Sequence, residues 1–207
     1  MSVATTHFFT VGHSTHTVEV FVGLLQAQGV TAVADVRSSP YSRFAPQFNR
    51  EVLDRHLRSI GVAYVFLGRE LGARSQDPAC YENGRVLYGR LARTPLFEEG
   101  LTRLVRGSRT HQIAIMCAEK EPLECHRALL IARALVERGF AVDHILGDGR
   151  VEAHREAMVR LLALLGLPTA DMFRSFDDLV REGLALQEER IAFVNNAMAV
   201  GTHRRSA

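Results

Sequence analysis

The chain has 207 residues with 25 Lys+Arg against 23 Asp+Glu, so a formal charge of +2 gives no global pull toward nucleic acid or an anionic membrane. Lys120 is the only lysine, which leaves 24 arginines to carry nearly all the positive charge. No glycine-rich loop ends in Gly-Lys-Ser/Thr, so a Walker-type phosphate site is excluded, and Schiff-base chemistry would have only Lys120, set among glutamates.

A hydrophobic fraction of 47% with 23% charged residues is that of a folded chain of one domain with room for an appendage. Three cysteines cannot all pair, which suits a reducing compartment. The start MSVATTHFFTVG has neither a basic segment nor a long apolar one, so no signal peptide is read there. No run of ~18 apolar residues predicts a membrane span. The expected location is the cytoplasm.

In chain order, His7 to Val11 predicts a first strand stopped at Gly12. The spacing of Val18, Phe21, Val22, Leu24 and Leu25 predicts a helix closed by Gly29. Val30 to Val36 predicts a second strand, Asn49 caps a helix over Arg50 to Ile60, and Val62 to Phe66 predicts a third strand. The polar stretch from Gly68 to Arg85 reads as a long binding loop or lid, with helical segments near Val86 to Ala92 and Pro95 to Val105. A fourth strand is expected over Gln112 to Cys117, a helix over Arg127 to Arg138, and a fifth strand over Ala141 to Leu146.

Beyond Gly149 the pattern is wholly helical. It predicts a helix over Glu152 to Leu165 and another opened by a Ser175/Asp178 capping box and running to about Asn195, then a frayed tail over 201–207. Strands that are apolar on both faces and alternate with helices predict an α/β three-layer sandwich. Its sheet is mainly parallel with about five strands, and residues 151–207 form a C-terminal helical extension packed on the domain over 1–150.

Ligands of an open parallel sheet bind outside the carboxyl ends of its strands. Three polar groups follow strands here: Gly12-His13-Ser14, Asp35-Val36-Arg37-Ser38-Ser39-Pro40, and Cys117-Ala118-Glu119 leading to Cys125-His126-Arg127. Cys125 at a helix start, beside His126 and Arg127, is placed as a thiolate nucleophile, with Cys117 as the second choice. His13 and His126 are candidates for proton transfer, and Asp35 and Glu119 for orienting or acid/base work. Asp35 with Arg37 is read as orienting a substrate or His13, with an internal ion pair that fixes the loop as the alternative, and Cys117 is equally readable as a buried hydrophobe closing its strand. Arg37 and Arg127, with Ser14, Tyr41 and Arg69, are the candidate anion-binding residues. The spacing of the cysteines and histidines matches no zinc pattern, so no metal and no cofactor are expected.

The motifs Thr10-Val11-Gly12-His13-Ser14, Asp35 to Pro40, Leu67-Gly68-Arg69-Glu70-Leu71-Gly72, and Cys117-Ala118-Glu119 through Cys125-His126-Arg127 stand in the order of a known family. The chain resembles the bacterial and archaeal "domain of unknown function 488" family over about residues 7 to 150, and its C-terminal helices resemble an extension of some members. The resemblance strengthens the candidacy of the strand-end residues and implies no reaction. In layout the chain is also similar to rhodanese domains, although no Cys-x₅-Arg loop begins at Cys117. The expected function is a hydrolase or transferase acting on a small phosphorylated or anionic ligand, nucleotide or nucleic-acid related. The alternatives are a non-catalytic nucleotide or nucleic-acid module, and a thiol-based sulfurtransferase or redox protein. Monomer and homodimer are both open.

Overall fold

The computed structural model describes residues 7–199, so the tail expected to fray lies outside the described residues. Chain order gives β1 (His7–Gly12), α1 (Val18–Ala27), β2 (Ala32–Asp35), α2 (Arg50–Ser59), β3 (Ala63–Phe66) and a short α3 (Gly68–Leu71). Then come a hairpin of β4 (Tyr81–Glu82) and β5 (Arg85–Val86), α4 (Tyr88–Leu91), α5 (Pro95–Gly107) and β6 (Ile113–Cys117). A π-helical segment, Arg127–Ala132, runs into α6 (Arg133–Val136). β7 (Ala141–Ile145), β8 (Val151–Ala153), α7 (His154–Leu164), α8 (Phe176–Ile191) and α9 (Asn196–Ala199) follow.

The main sheet has the order β3-β2-β6-β1-β7-β8, with the first five strands parallel and β8 antiparallel to β7. The α/β three-layer architecture with a mainly parallel sheet is therefore present. Alternation along the strands divides the core in two. Phe9, Val11, Val33, Ala114 and Met116 pack with Phe21, Leu25, Leu53 and Leu57 of α1 and α2. Phe8, Ala34, Ile113, Ile115 and Cys117 face the other layer, with Leu101 and Leu104 of α5, the Ala128–Ala132 stretch, and Met158 and Leu161 of α7.

Several boundaries depart from the sequence expectation. Val151–Ala153 adds an edge strand where the helical pattern began at Glu152, because a turn at Gly149 (φ 87°) folds it back on β7. The expected helix near Val86 starts only at Tyr88, since Val86 is already paired in the hairpin. α8 stops at Ile191, and the residues beyond it join that hairpin: Val86 N–H donates to the Phe193 carbonyl (3.0 Å) and Asn195 N–H to that of Gly84 (2.7 Å). The Ser175/Asp178 capping box forms as expected. Asn49 does not cap α2 with its side chain; its Oδ1 accepts from Ser42 N–H instead (2.7 Å).

Register decides where chemistry can collect. Gly12 is level with Cys117, and Asp35 with Met116, so β1, β2 and β6 end together and their following loops emerge side by side.

Candidate functional site

The loop after β1 continues the sheet for two more residues, as His13 N–H donates to the Cys117 carbonyl (3.0 Å) and Ser14 N–H to that of Ala118 (2.9 Å). A Cβ on Gly12 would lie 1.9 Å from the Glu119 carbonyl oxygen, so only glycine permits this approach. Ser14 takes the left-handed conformation (φ 48°). Its carbonyl accepts from His13 Nδ1–H at 3.0 Å, which leaves Nε2 to accept from an Arg37 guanidinium N–H at 3.3 Å. The ring is stacked on Phe48, with centroids 4.4 Å apart. Burial and the Arg37 charge push the His13 pKa down to about 4, so the imidazole is neutral at pH 7.

The loop after β2 closes on itself. Arg37 grips Asp35 through Nε (2.9 Å) and Nη2 (2.6 Å), and Nη2 also donates to the Phe48 carbonyl (2.8 Å). Asp35 further accepts from Arg37 N–H (3.1 Å) and the Tyr64 hydroxyl (2.7 Å). The internal ion pair read from the sequence is formed, and Arg37 also reaches His13 through Nη1. The Leu67 to Gly72 motif supports the loop. A Cβ on Gly68 would lie 1.9 Å from the Arg37 carbonyl, and one on Gly72 would lie 2.5 Å from Ser38 Oγ. Glu70 of that motif is buried against Arg103 of α5 in an ion pair, while Arg69 points to solvent.

After β6 the donors gather around sulfur. His126 Nε2–H donates to the Val36 carbonyl (3.2 Å), which leaves Nδ1 facing Cys117 Sγ at 3.8 Å and Cys125 Sγ at 3.7 Å. Cys125 donates to Glu119 Oε2 (3.0 Å) and accepts from Arg127 N–H (3.5 Å). Burial would raise the Cys125 thiol, but the neighbouring Cys117 thiol and the Arg127 and His126 charges outweigh it and hold Cys125 low. Cys117, beside Cys125 and buried, is pushed up. His126 is lowered by burial and raised more by Cys125, for a net rise. The Glu119 side chain keeps solvent access, yet the crowding around its carboxyl and the nearby Cys125 raise it. The three donor atoms of Cys117, Cys125 and His126 lie within 4.8 Å of one another, an arrangement that could hold a soft metal ion.

Arg127 is fully buried and donates to the Glu119 (2.7 Å) and Lys120 (3.0 Å) carbonyls, so its guanidinium braces the loop rather than facing a ligand. Its Nε finds no partner among the described residues.

A cavity of about 400 Å³ opens over these strand ends. Of the residues singled out by sequence, its wall takes His13, Arg37, Tyr41, Cys117, Glu119, Cys125 and His126, and does not take Ser14, Asp35, Arg69 or Arg127. Sequence reasoning missed Arg74, Ile191 and Phe193, which complete the wall with Tyr88, Ser38, Ser39 and Ser42. The Arg74 guanidinium lies 4.7 Å over the Phe193 ring and forms no ion pair among the described residues. No local pattern marks Arg74 or Phe193, which meet only because the end of α8 folds onto the hairpin. Burial raises the pKa of the Tyr88 hydroxyl.

No helix among the described residues is long and apolar enough to cross a membrane. Comparison with curated proteins and with solved structures gave no match. Residues 17–134 match the family model described as "Domain of unknown function DUF488", a stretch that starts just after the β1 loop and ends past Cys125-His126-Arg127. That stretch is more than half of the chain, and the protein belongs to this family of uncharacterised function.

Proposed function

We propose that the cavity is the reaction centre of a hydrolase or transferase acting on a small anionic, phosphorylated molecule. One observation carries the reading: Cys117, Cys125, His126 and Glu119 converge on a cavity at the level ends of three parallel strands. That is the position where this architecture binds ligands. In this reading the Cys125 cluster supplies the reacting group, Glu119 takes the proton held between it and sulfur, and neutral His13 accepts or donates a proton near Arg37.

The anion would be held at the rim by Arg74, the hydroxyls of Ser38, Ser39 and Ser42, and the one Arg37 Nη1–H that Asp35, Phe48 and His13 leave free. Residues 1–150 would carry the chemistry, with the extension from 151 supplying one wall. A small ligand is favoured over nucleic acid because ten described arginines, from Arg37 to Arg181, are spent in ion pairs. The cavity wall itself carries only Arg37 and Arg74, too few to track a phosphate backbone.

The test is turnover of a panel of phosphate esters and nucleotides by wild type and by Glu119→Gln. A loss of about 10²–10⁴-fold in the variant, with unchanged folding, is expected of an acid/base group. Equal turnover by the variant, or no turnover of any panel member by wild type, would sink the reading.

A further inference from the structure

We infer that Cys117, Cys125 and His126 form a binding site for a thiophilic divalent cation, zinc by its chemistry, at the floor of the cavity. The inference deepens the reading above by naming the cofactor class of that reaction centre, and rests on the same cavity.

Geometry comes first. Zn–S bonds of about 2.3 Å and Zn–N bonds of about 2.0–2.1 Å in a tetrahedral shell set sulfur and nitrogen about 3.6 Å apart. His126 Nδ1 lies 3.8 Å from one sulfur and 3.7 Å from the other. A single Nδ1 lone pair can accept only one thiol proton well, and the Cys125 proton already has Glu119 as acceptor at 3.0 Å. Near-equal spacing from both sulfurs is what one ion placed among three donors would use.

The surroundings fit as well. Nε2–H of His126 is pinned to the Val36 carbonyl, so the tautomer that leaves Nδ1 free for a metal is selected, as outer-shell carbonyls do for ligating histidines. All three side chains are buried, and an isolated thiolate there is costly to desolvate. Two thiolates and one dication sum to zero. Counted from neutral thiols, binding breaks two S–H bonds, forms two metal–sulfur bonds and releases two protons, that of Cys125 being the one it shares with Glu119. Two thiolates with an imidazole select zinc over magnesium or calcium, whose preferred donors are oxygens.

Glu119 is read as a base and not as a fourth ligand. Its oxygen lies 3.0 Å from Cys125 Sγ, whereas sulfur and oxygen sharing a tetrahedral zinc stay about 3.5 Å apart. Three protein donors leave a position open to the cavity, as in catalytic zinc sites, where bound water has a pKa of about 7. The linear spacing failed to announce this site because Cys125 and His126 are adjacent in sequence while the third donor sits on a strand tip.

The test uses the full chain, stripped by chelator and titrated with Co²⁺. One equivalent per chain, giving intense visible bands and sulfur-to-cobalt charge transfer and displaced by Zn²⁺, is expected. Cys125→Ser, Cys117→Ser and His126→Gln should lose or weaken these bands, while Cys80→Ala, outside the cluster, and Glu119→Gln should keep them. Absence of a saturable thiolate spectrum in folded wild type, or its survival in Cys125→Ser, overturns the site.

Wild type alone gives a second readout, independent of any variant's folding. Zn²⁺ should protect the two site thiols from alkylation and chelator should restore it; unchanged alkylation overturns the inference. If cobalt fails to bind while Glu119→Gln still abolishes phosphate-ester turnover, the metal falls and the enzyme reading stands. If cobalt binds one per chain and no turnover is found, the reverse holds.

Discussion

The loops after β2 and β6 are equally rich in polar groups, and they use them in opposite ways. Asp35 accepts four hydrogen bonds, and Arg37 satisfies a carboxylate, a backbone carbonyl and a histidine nitrogen. Of that pair only one Arg37 Nη1–H is left to face the cavity, beside the serine hydroxyls that follow it. After β6 the contacts that join Cys117 and Cys125 to His126 are long sulfur contacts at 3.8 and 3.7 Å, and the groups face a cavity. One loop holds the shape, and the other keeps its donors available. A charged motif at a strand end is thus not by itself a ligand site; the accounting of its hydrogen bonds tells which role it has.

The largest break in this comparison should come from the closed loop. Asp35→Ala leaves a buried guanidinium unpaired and is expected to cost about 3–5 kcal/mol in urea unfolding. A cost near that of a surface substitution would show that the pair is not structural.

Acid should act through histidines outside both loops. His13 and His154 are held at about 4 in the folded protein by burial, against about 6.5 when unfolded. Below pH 6.5 the unfolded chain takes these protons and the folded chain does not, so stability falls as pH drops toward 4 and levels off below it. Each histidine contributes up to about 3 kcal/mol to that fall, which unfolding at pH 7 and pH 4.5 would read.

Next in size is Gly12→Ala, which drives a methyl into the Glu119 carbonyl and should cost about 1–3 kcal/mol. It should also shift Cys125 reactivity, since Glu119 moves with its carbonyl. The smallest effect on stability is expected at the rim. Arg74→Ala should change unfolding by no more than about 0.5 kcal/mol. In chelator-treated protein it should nevertheless lower site-thiol alkylation by iodoacetate severalfold relative to neutral iodoacetamide. An unchanged ratio would remove Arg74 from the anion site.

The parallel sheet was legible because Phe8 to Val11 and Ile113 to Met116 are apolar on both faces, a pattern that helices on two sides demand. The three polar strand ends were legible for the same reason, since a parallel sheet brings its carboxyl ends to one edge. The fate of Arg127 was not. Whether an arginine beside a cysteine faces a ligand or turns inward depends on the carbonyls of Glu119 and Lys120 in a loop whose path no local pattern encodes. The wall formed by Arg74 and Phe193 was hidden for a related cause, because those residues are far apart in sequence and meet through two backbone hydrogen bonds of the hairpin.

That clasp between the hairpin and the chain beyond α8 divides the cavity by origin. The ends of β2 and β6 come from inside the stretch matched by the family, and His13, Ile191 and Phe193 come from outside it. Under the function proposed above, the sulfur chemistry would rest on the β6 end and part of the ligand choice on the chain beyond α8, two separately replaceable parts. Redesign of residues 191–195 could exchange what the cavity admits while leaving the sulfur cluster and its supporting strands as they are.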